Sequence, residues 1–128
     1  MNILLDTCTF LWMIDEVDQL SPAVREAFED GRNRLILHQA SSWEIQIKYH
    51  SGKLPLAKPP REIIRNGLVA HGIEYQTFGD AEIWHLQKLP GLHRDPFDRI
   101  LISYALCEGL KFASPDPEIQ KYPVAILW

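Results

Sequence analysis

Three consecutive aliphatic residues, Ile3-Leu4-Leu5, run without a spacer into Asp6 and Thr7. A short apolar run with no polar alternation is the pattern of a strand covered on both faces, and such strands belong to parallel sheets flanked by helices. Leu35-Ile36-Leu37, Ile73 to Phe78, Lys111-Phe112-Ala113 and Val124 to Leu127 supply further strands. Helical patterns lie between them. Phe10, Leu11 and Ile14 give a first helix its face, and Ser21-Pro22 opens a second that Gly31 closes. A third is expected to open at Ser41-Ser42 and run to about Tyr49, with Gly52 beyond it. Arg61 to about Ala70, Ala81 to about Leu89 and Pro96 to Glu108 complete the set, the last ended by Gly109. Strands alternating with helices predict an α/β fold: a three-layer α/β/α sandwich around a mainly parallel sheet. At 128 residues, with short connections and no internal repeat, the chain is expected to form one domain over residues 1–128.

In an open parallel sheet, ligands bind beyond the carboxyl ends of the strands. Asp6 directly follows the first strand, and Asp116 lies just beyond another in Ser114-Pro115-Asp116-Pro117. Either could simply cap a helix. Glu44, in the first turn of the third helix, has Lys48 four residues on, so an intrahelical ion pair accounts for it equally well. In His93-Arg94-Asp95-Pro96-Phe97-Asp98-Arg99, Asp95 and Pro96 form a helix start. Asp98 is less easily explained by capping, because Ile102 and Ala105 follow it at helical spacing on an apolar face.

Four or five carboxylates meeting at one sheet edge would repel one another unless a divalent cation bound there. All-oxygen donors suit Mg²⁺ or Mn²⁺ rather than zinc, and the five histidines show no metal-ligand spacing. The chemistry that fits is metal-assisted attack of water on a phosphodiester.

Four segments in this order, Leu4 to Trp12 ("LLDTCTFLW"), Ser41 to Lys48 ("SSWEIQIK"), His93 to Ala105 ("HRDPFDRILISYA") and Ser114 to Trp128 ("SPDPEIQKYPVAILW"), span nearly the whole chain. Together they resemble PIN-domain ribonucleases, and among them the VapC-type toxins of toxin–antitoxin pairs. The resemblance implies endonucleolytic cleavage of RNA with Mg²⁺ or Mn²⁺. It assigns Asp6, Glu44, Asp98 and Asp116 as catalytic, and those four with Asp95 as metal-binding. Asp98 is the more general of the two acids opening the last long helix, and Thr7 and Ser114 become hydroxyl supports. A homodimer and a cognate antitoxin protein are implied as partners. The sequence departs from the family pattern at Cys8 and Ser114, and neither change removes a carboxylate.

A net charge of −4 leaves RNA to be held by a local patch. Arg94 and Arg99 flank the acidic pair, and Lys48 opens a basic stretch running to Arg65. Trp12, Trp43 and Trp84 are expected in the core or at a dimer interface. Two cysteines without paired spacing, and no apolar run long enough to span a bilayer, favour a reducing, cytoplasmic setting. Two rival readings remain. One is an aspartate-dependent phosphatase with Asp6 as nucleophile, which would want a second Asp where Cys8 stands. The other is a non-catalytic binding module whose acids cap helices.

Overall fold

The computed structural model describes residues 1–128. Strands β1 (Asn2–Leu5), β2 (Arg34–His38), β3 (Glu74–Gln76), β4 (Lys111–Ala113) and β5 (Ala125–Leu127) form one sheet in the order β3-β2-β1-β4-β5. Every pairing is parallel. Helices α1 (Thr7–Asp15), α2 (Pro22–Glu29), α3 (Gln39–His50), α4 (Pro60–His71), α5 (Asp80–His85) and α6 (Pro96–Glu108) connect the strands and cover both faces. This is the three-layer α/β/α arrangement that the alternating pattern predicts.

The two-residue period of a strand divides the core in two. Ile3 and Leu5 of β1, with Leu35 and Leu37 of β2, pack against Phe10, Met13, Val24, Ala27 and Ile64 from α1, α2 and α4. Leu4 and Ile36 point the other way, into a cluster with Ile100, Leu101 and Tyr104 of α6 and with Phe112 of β4. Both faces of β1 are thus apolar, which is why its sequence shows no alternation.

Strand order reverses at β1: the chain moves to one side for β2 and β3, then crosses to the other for β4 and β5. Beyond the carboxyl ends of β1 and β4 the connections therefore diverge and leave a crevice. The two ends are tied there, the Asp6 amide donating to the Ala113 carbonyl at 3.1 Å.

Most elements fall where the sequence puts them, with ends that differ by a residue or two. The fifth helix stops at His85 and a 3-10 turn, Leu86–Lys88, carries the chain on. The α3 start is a clear departure, since the helix opens at Gln39 instead of Ser41-Ser42. The reason is His38. Its ring occupies the N-cap position, and Nδ1 accepts from the Ala40 amide at 3.0 Å. Ser41 is thereby placed inside the first turn, fully buried and facing α1.

His38 is fully buried, and its Nε2 pairs with Glu82 of α5, which is also buried. Phe78 and Tyr104 pack on the imidazole with ring centroids 4.9 Å away. Removing one member of a buried pair leaves the other without a partner. His38→Ala should therefore destabilise the fold by roughly 3 kcal/mol, and adding Glu82→Gln should recover part of the loss. Thermal denaturation of the single and double variants measures both.

Two of the three tryptophans named above are not core residues. Trp43 is 56% exposed and Trp84 68% exposed, whereas Trp12 is half-buried against Trp128. The Trp43 ring meets Phe97 edge-on at 5.1 Å, on the surface beside the first turn of α6.

Candidate active site

Asp6, Glu44, Asp95, Asp98 and Asp116 all line one cavity of about 340 Å³, together with Thr7, Cys8 and Lys48. It opens beyond the β1 and β4 ends, at the crevice the strand order creates. The five acids come from the β1–α1 junction, α3, the start of α6 and the loop after β4.

Asp6 is held from two sides. As N-cap of α1 it accepts from the Thr7 amide at 2.8 Å through Oδ1, while Oδ2 accepts from the Ser114 hydroxyl at 2.6 Å. Capping and site membership are thus compatible in one carboxylate. Thr7 Oγ1 donates to Glu44 Oε1 at 2.8 Å and lies 2.9 Å from the Ser41 hydroxyl. Glu44 also pairs with Lys48 one turn on. Ser114 Oγ accepts from the Asp116 amide at 3.2 Å, and Asp116 Oδ1 accepts from the Glu118 amide at 2.9 Å.

Asp95 caps α6 as the sequence suggests, its Oδ1 accepting from the Phe97 and Asp98 amides at 2.9 and 3.4 Å. Asp98 takes no part in capping. It turns into the cavity, and its Oδ2 lies 2.7 Å from His93 Nε2.

The electrostatics show an excess of negative charge. Burial pushes the Asp6 carboxyl up to about 6 against the pull of the Ser114 and Thr7 hydrogen bonds, with Glu44 and Asp116 adding to the rise. Burial and then Asp6 push the Asp98 carboxyl up to about 7, although its contact with His93 opposes the shift. The same contact raises the His93 pKa above its ordinary value. Burial and then Asp6 push the Cys8 thiol up to about 12. Cys8 is therefore a neutral neighbour of Asp6 and supplies none of the acid function a phosphatase would want at that position. Buried carboxylates crowded until their protons are held near neutral pH, with hard oxygen donors converging from four segments, fit a divalent cation of the Mg²⁺ or Mn²⁺ type.

Residues 3–125 match the family model of the PIN domain. The chain belongs to the PIN-domain family. No curated protein sequence matches it significantly. Among solved structures, the PIN domain superposes on a chain of VapBC2 from Rickettsia felis, bound to a promoter DNA fragment, with a TM-score of 0.74. That match has 16% identity and covers 98% of this chain and 97% of that one. DNA-bound VapBC from Salmonella typhimurium gives 0.69 at 18% identity over 98% and 96%. VapBC-1 from nontypeable Haemophilus influenzae gives 0.58 at 17% over 98% and 96%. At such identities the likeness is one of fold.

The cations of this PIN domain divide by what they already hold. Arg99 points away from the acids: its Nη1 donates to the Pro90 carbonyl at 2.9 Å and to the Tyr122 hydroxyl at 3.1 Å, fastening the loop before α6. Lys48 sits at the cavity edge, half exposed and paired with Glu44. Arg94 is exposed.

His93 is the residue that sequence reasoning passes over. Its side-chain nitrogen and carboxylate oxygens of Asp98 and Asp116 all lie within 4.8 Å of one another. Ligand-spacing rules for helices and fingers find nothing here, because His93 reaches the acids from an irregular loop.

Proposed function

We propose that this PIN domain, acting as a single unit over residues 1–128, is a metal-dependent endoribonuclease and the toxin of a toxin–antitoxin pair. The observation that carries this reading is the convergence of five carboxylates at the β1/β4 crevice, two of them with pKa values lifted to about 6 and 7. Asp6, Glu44, Asp95, Asp98 and Asp116 would hold the cation, with Asp6, Glu44, Asp98 and Asp116 in the catalytic role. Bound there, Mg²⁺ or Mn²⁺ would lower the pKa of a coordinated water and offset the charge that builds on the phosphate. Ser114 and Thr7 keep Asp6 and Glu44 oriented without themselves carrying charge. Arg94 and Lys48 would meet the RNA backbone. Arg99, also a sequence candidate for that contact, serves the same surface by fixing the loop that bears Arg94.

The antitoxin partner is supported by the VapBC complexes among the structural relatives. A basic side chain entering the cavity would balance its acids and exclude the phosphate. A second copy of the chain is supported by the exposed apolar surface of α3, where Trp43 and Ile47 stand one turn apart beside Phe78 and Phe97. Trp43→Glu should halve the mass measured by light scattering if this surface joins two copies. A cytoplasmic setting accords with an RNA substrate, and no helix is long and apolar enough to cross a membrane.

The test is incubation of the antitoxin-free protein with RNA. Cleavage is expected with Mg²⁺ or Mn²⁺ and should cease with a chelator. Failure to cleave under either ion would contradict the assignment.

A further inference from the structure

We propose that His93 is a nitrogen ligand to the divalent cation of the acid cavity, and that it biases the site toward Mn²⁺ over Mg²⁺. The inference rests on the metal-dependent reading above and goes beyond it, since that reading uses carboxylates alone.

His93 Nε2 is 2.7 Å from Asp98 Oδ2, and the candidate ligand atoms of His93, Asp98 and Asp116 fall within 4.8 Å of one another. Two atoms bonded to one ion at roughly 2.0–2.3 Å lie at most about 4.5 Å apart, so small side-chain adjustments would bring all three into one coordination shell. On binding, His93 Nε2 and Asp98 Oδ2 would exchange their mutual hydrogen bond for a shared cation.

The loop is also built to hold the ring there. The His93 amide donates to the Tyr122 hydroxyl at 2.9 Å, and Tyr122 is buried. Arg99 donates to that same hydroxyl at 3.1 Å and to the Pro90 carbonyl at 2.9 Å. Both ends of the segment that presents His93 are therefore anchored. The one buried histidine, His38, is committed to Glu82 and the Ala40 amide.

Mg²⁺ takes oxygen donors and parts reluctantly with water, whereas transition ions accept imidazole more readily. One nitrogen among carboxylates would therefore favour Mn²⁺ without excluding Mg²⁺. A His93 that only oriented Asp98 from outside the shell would support both ions alike.

Pulsed electron paramagnetic resonance of Mn²⁺ added to the full-length protein reads the ligand directly and needs no substrate. Protein grown with ¹⁴N-histidine should show nitrogen modulation that changes to the ¹⁵N pattern when histidine is ¹⁵N-labelled, an exchange that leaves the fold untouched. His93→Gln should abolish the modulation. By calorimetry the same variant should weaken Mn²⁺ binding about 10-fold or more and Mg²⁺ binding by less than about 3-fold. Mn²⁺ bound without nitrogen modulation, or an equal loss of both ions in His93→Gln, would overturn the assignment and leave the metal-dependent reading standing. Absence of Mn²⁺ binding to the unaltered protein would overturn both.

Discussion

Asp98→Asn is expected to abolish RNA cleavage, by roughly 10³-fold, while raising the unfolding temperature of the metal-free protein. The two effects have one cause. Asp98 has a side chain only 13% exposed, and burial together with Asp6 pushes its carboxyl up to about 7. Near neutral pH the folded chain must confine a charge that the unfolded chain would hold freely. Asn has the same shape, can accept the hydrogen bond from His93, and carries no charge. Removing the charge should raise stability by about 1–3 kcal/mol, or roughly 3–10 °C for a chain of this size. A residue whose loss stabilises the fold and abolishes activity is held for chemistry rather than for packing. Asp95→Asn should differ. Its Oδ1 caps α6, Asn caps nearly as well, and its effect on cleavage should be smaller than that of Asp98→Asn. Equal loss of cleavage in both variants would place Asp95 equally in the metal site.

The second large effect is the pH dependence of stability. Asp6 and Asp98 have folded-state pKa values raised to about 6 and 7 from the ordinary 3.8. Between those limits the folded protein binds more protons than the unfolded one, so these two groups make stability fall as pH rises from about 4 to 7. A tenfold difference in proton affinity between the folded and unfolded chain corresponds to about 1.4 kcal/mol, which makes the combined swing on the order of a few kcal/mol. Other groups act in the opposite sense. Burial lowers the pKa of His38 despite Glu82, and Arg32 and Arg34 lower those of Asp30 and Glu74. Comparison with the Asp6→Asn and Asp98→Asn variants isolates the contribution of the cavity. Denaturant titrations from about pH 4.5 to about pH 8 should show the parent protein losing stability relative to each variant as pH rises. Saturating Mn²⁺ should reverse that difference near pH ~7.5, because the cation is held only by the ionised acids.

Sequence legibility followed the range of the interactions involved. Ile3-Leu4-Leu5 and Asp95-Pro96 could be read directly, since strand burial and helix capping are decided within a few residues. The acids could be nominated because the topology of a parallel sheet brings the ends of β1 and β4 together, although their chain positions are distant. Other features could not be read. The start of α3 depends on His38, whose buried position is made tolerable by Glu82 more than forty residues away. His93 reaches Asp98 from an irregular loop held by Tyr122 and Arg99, for which no local spacing rule exists. For Trp43 the sequence leaves core and dimer interface open, because an indole is usually covered, and α3 leaves it facing outward beside Phe97. Arg99 stands beside Asp98 in sequence, yet successive residues on a helix point about 100° apart. Its guanidinium goes to the Pro90 loop instead.

Whether the acid cavity activates water against an RNA phosphodiester is decided most directly by the chemistry of the product ends. Antitoxin-free protein with Mn²⁺ should cleave RNA without leaving 2′,3′-cyclic phosphate, and should still cut where the 2′-hydroxyl at the scissile nucleotide is replaced by hydrogen. Asp98→Asn, shown to be folded, should leave both substrates intact. Cyclic phosphate ends, or cleavage that persists in Asp98→Asn or in the presence of a chelator, would contradict that role for the cavity.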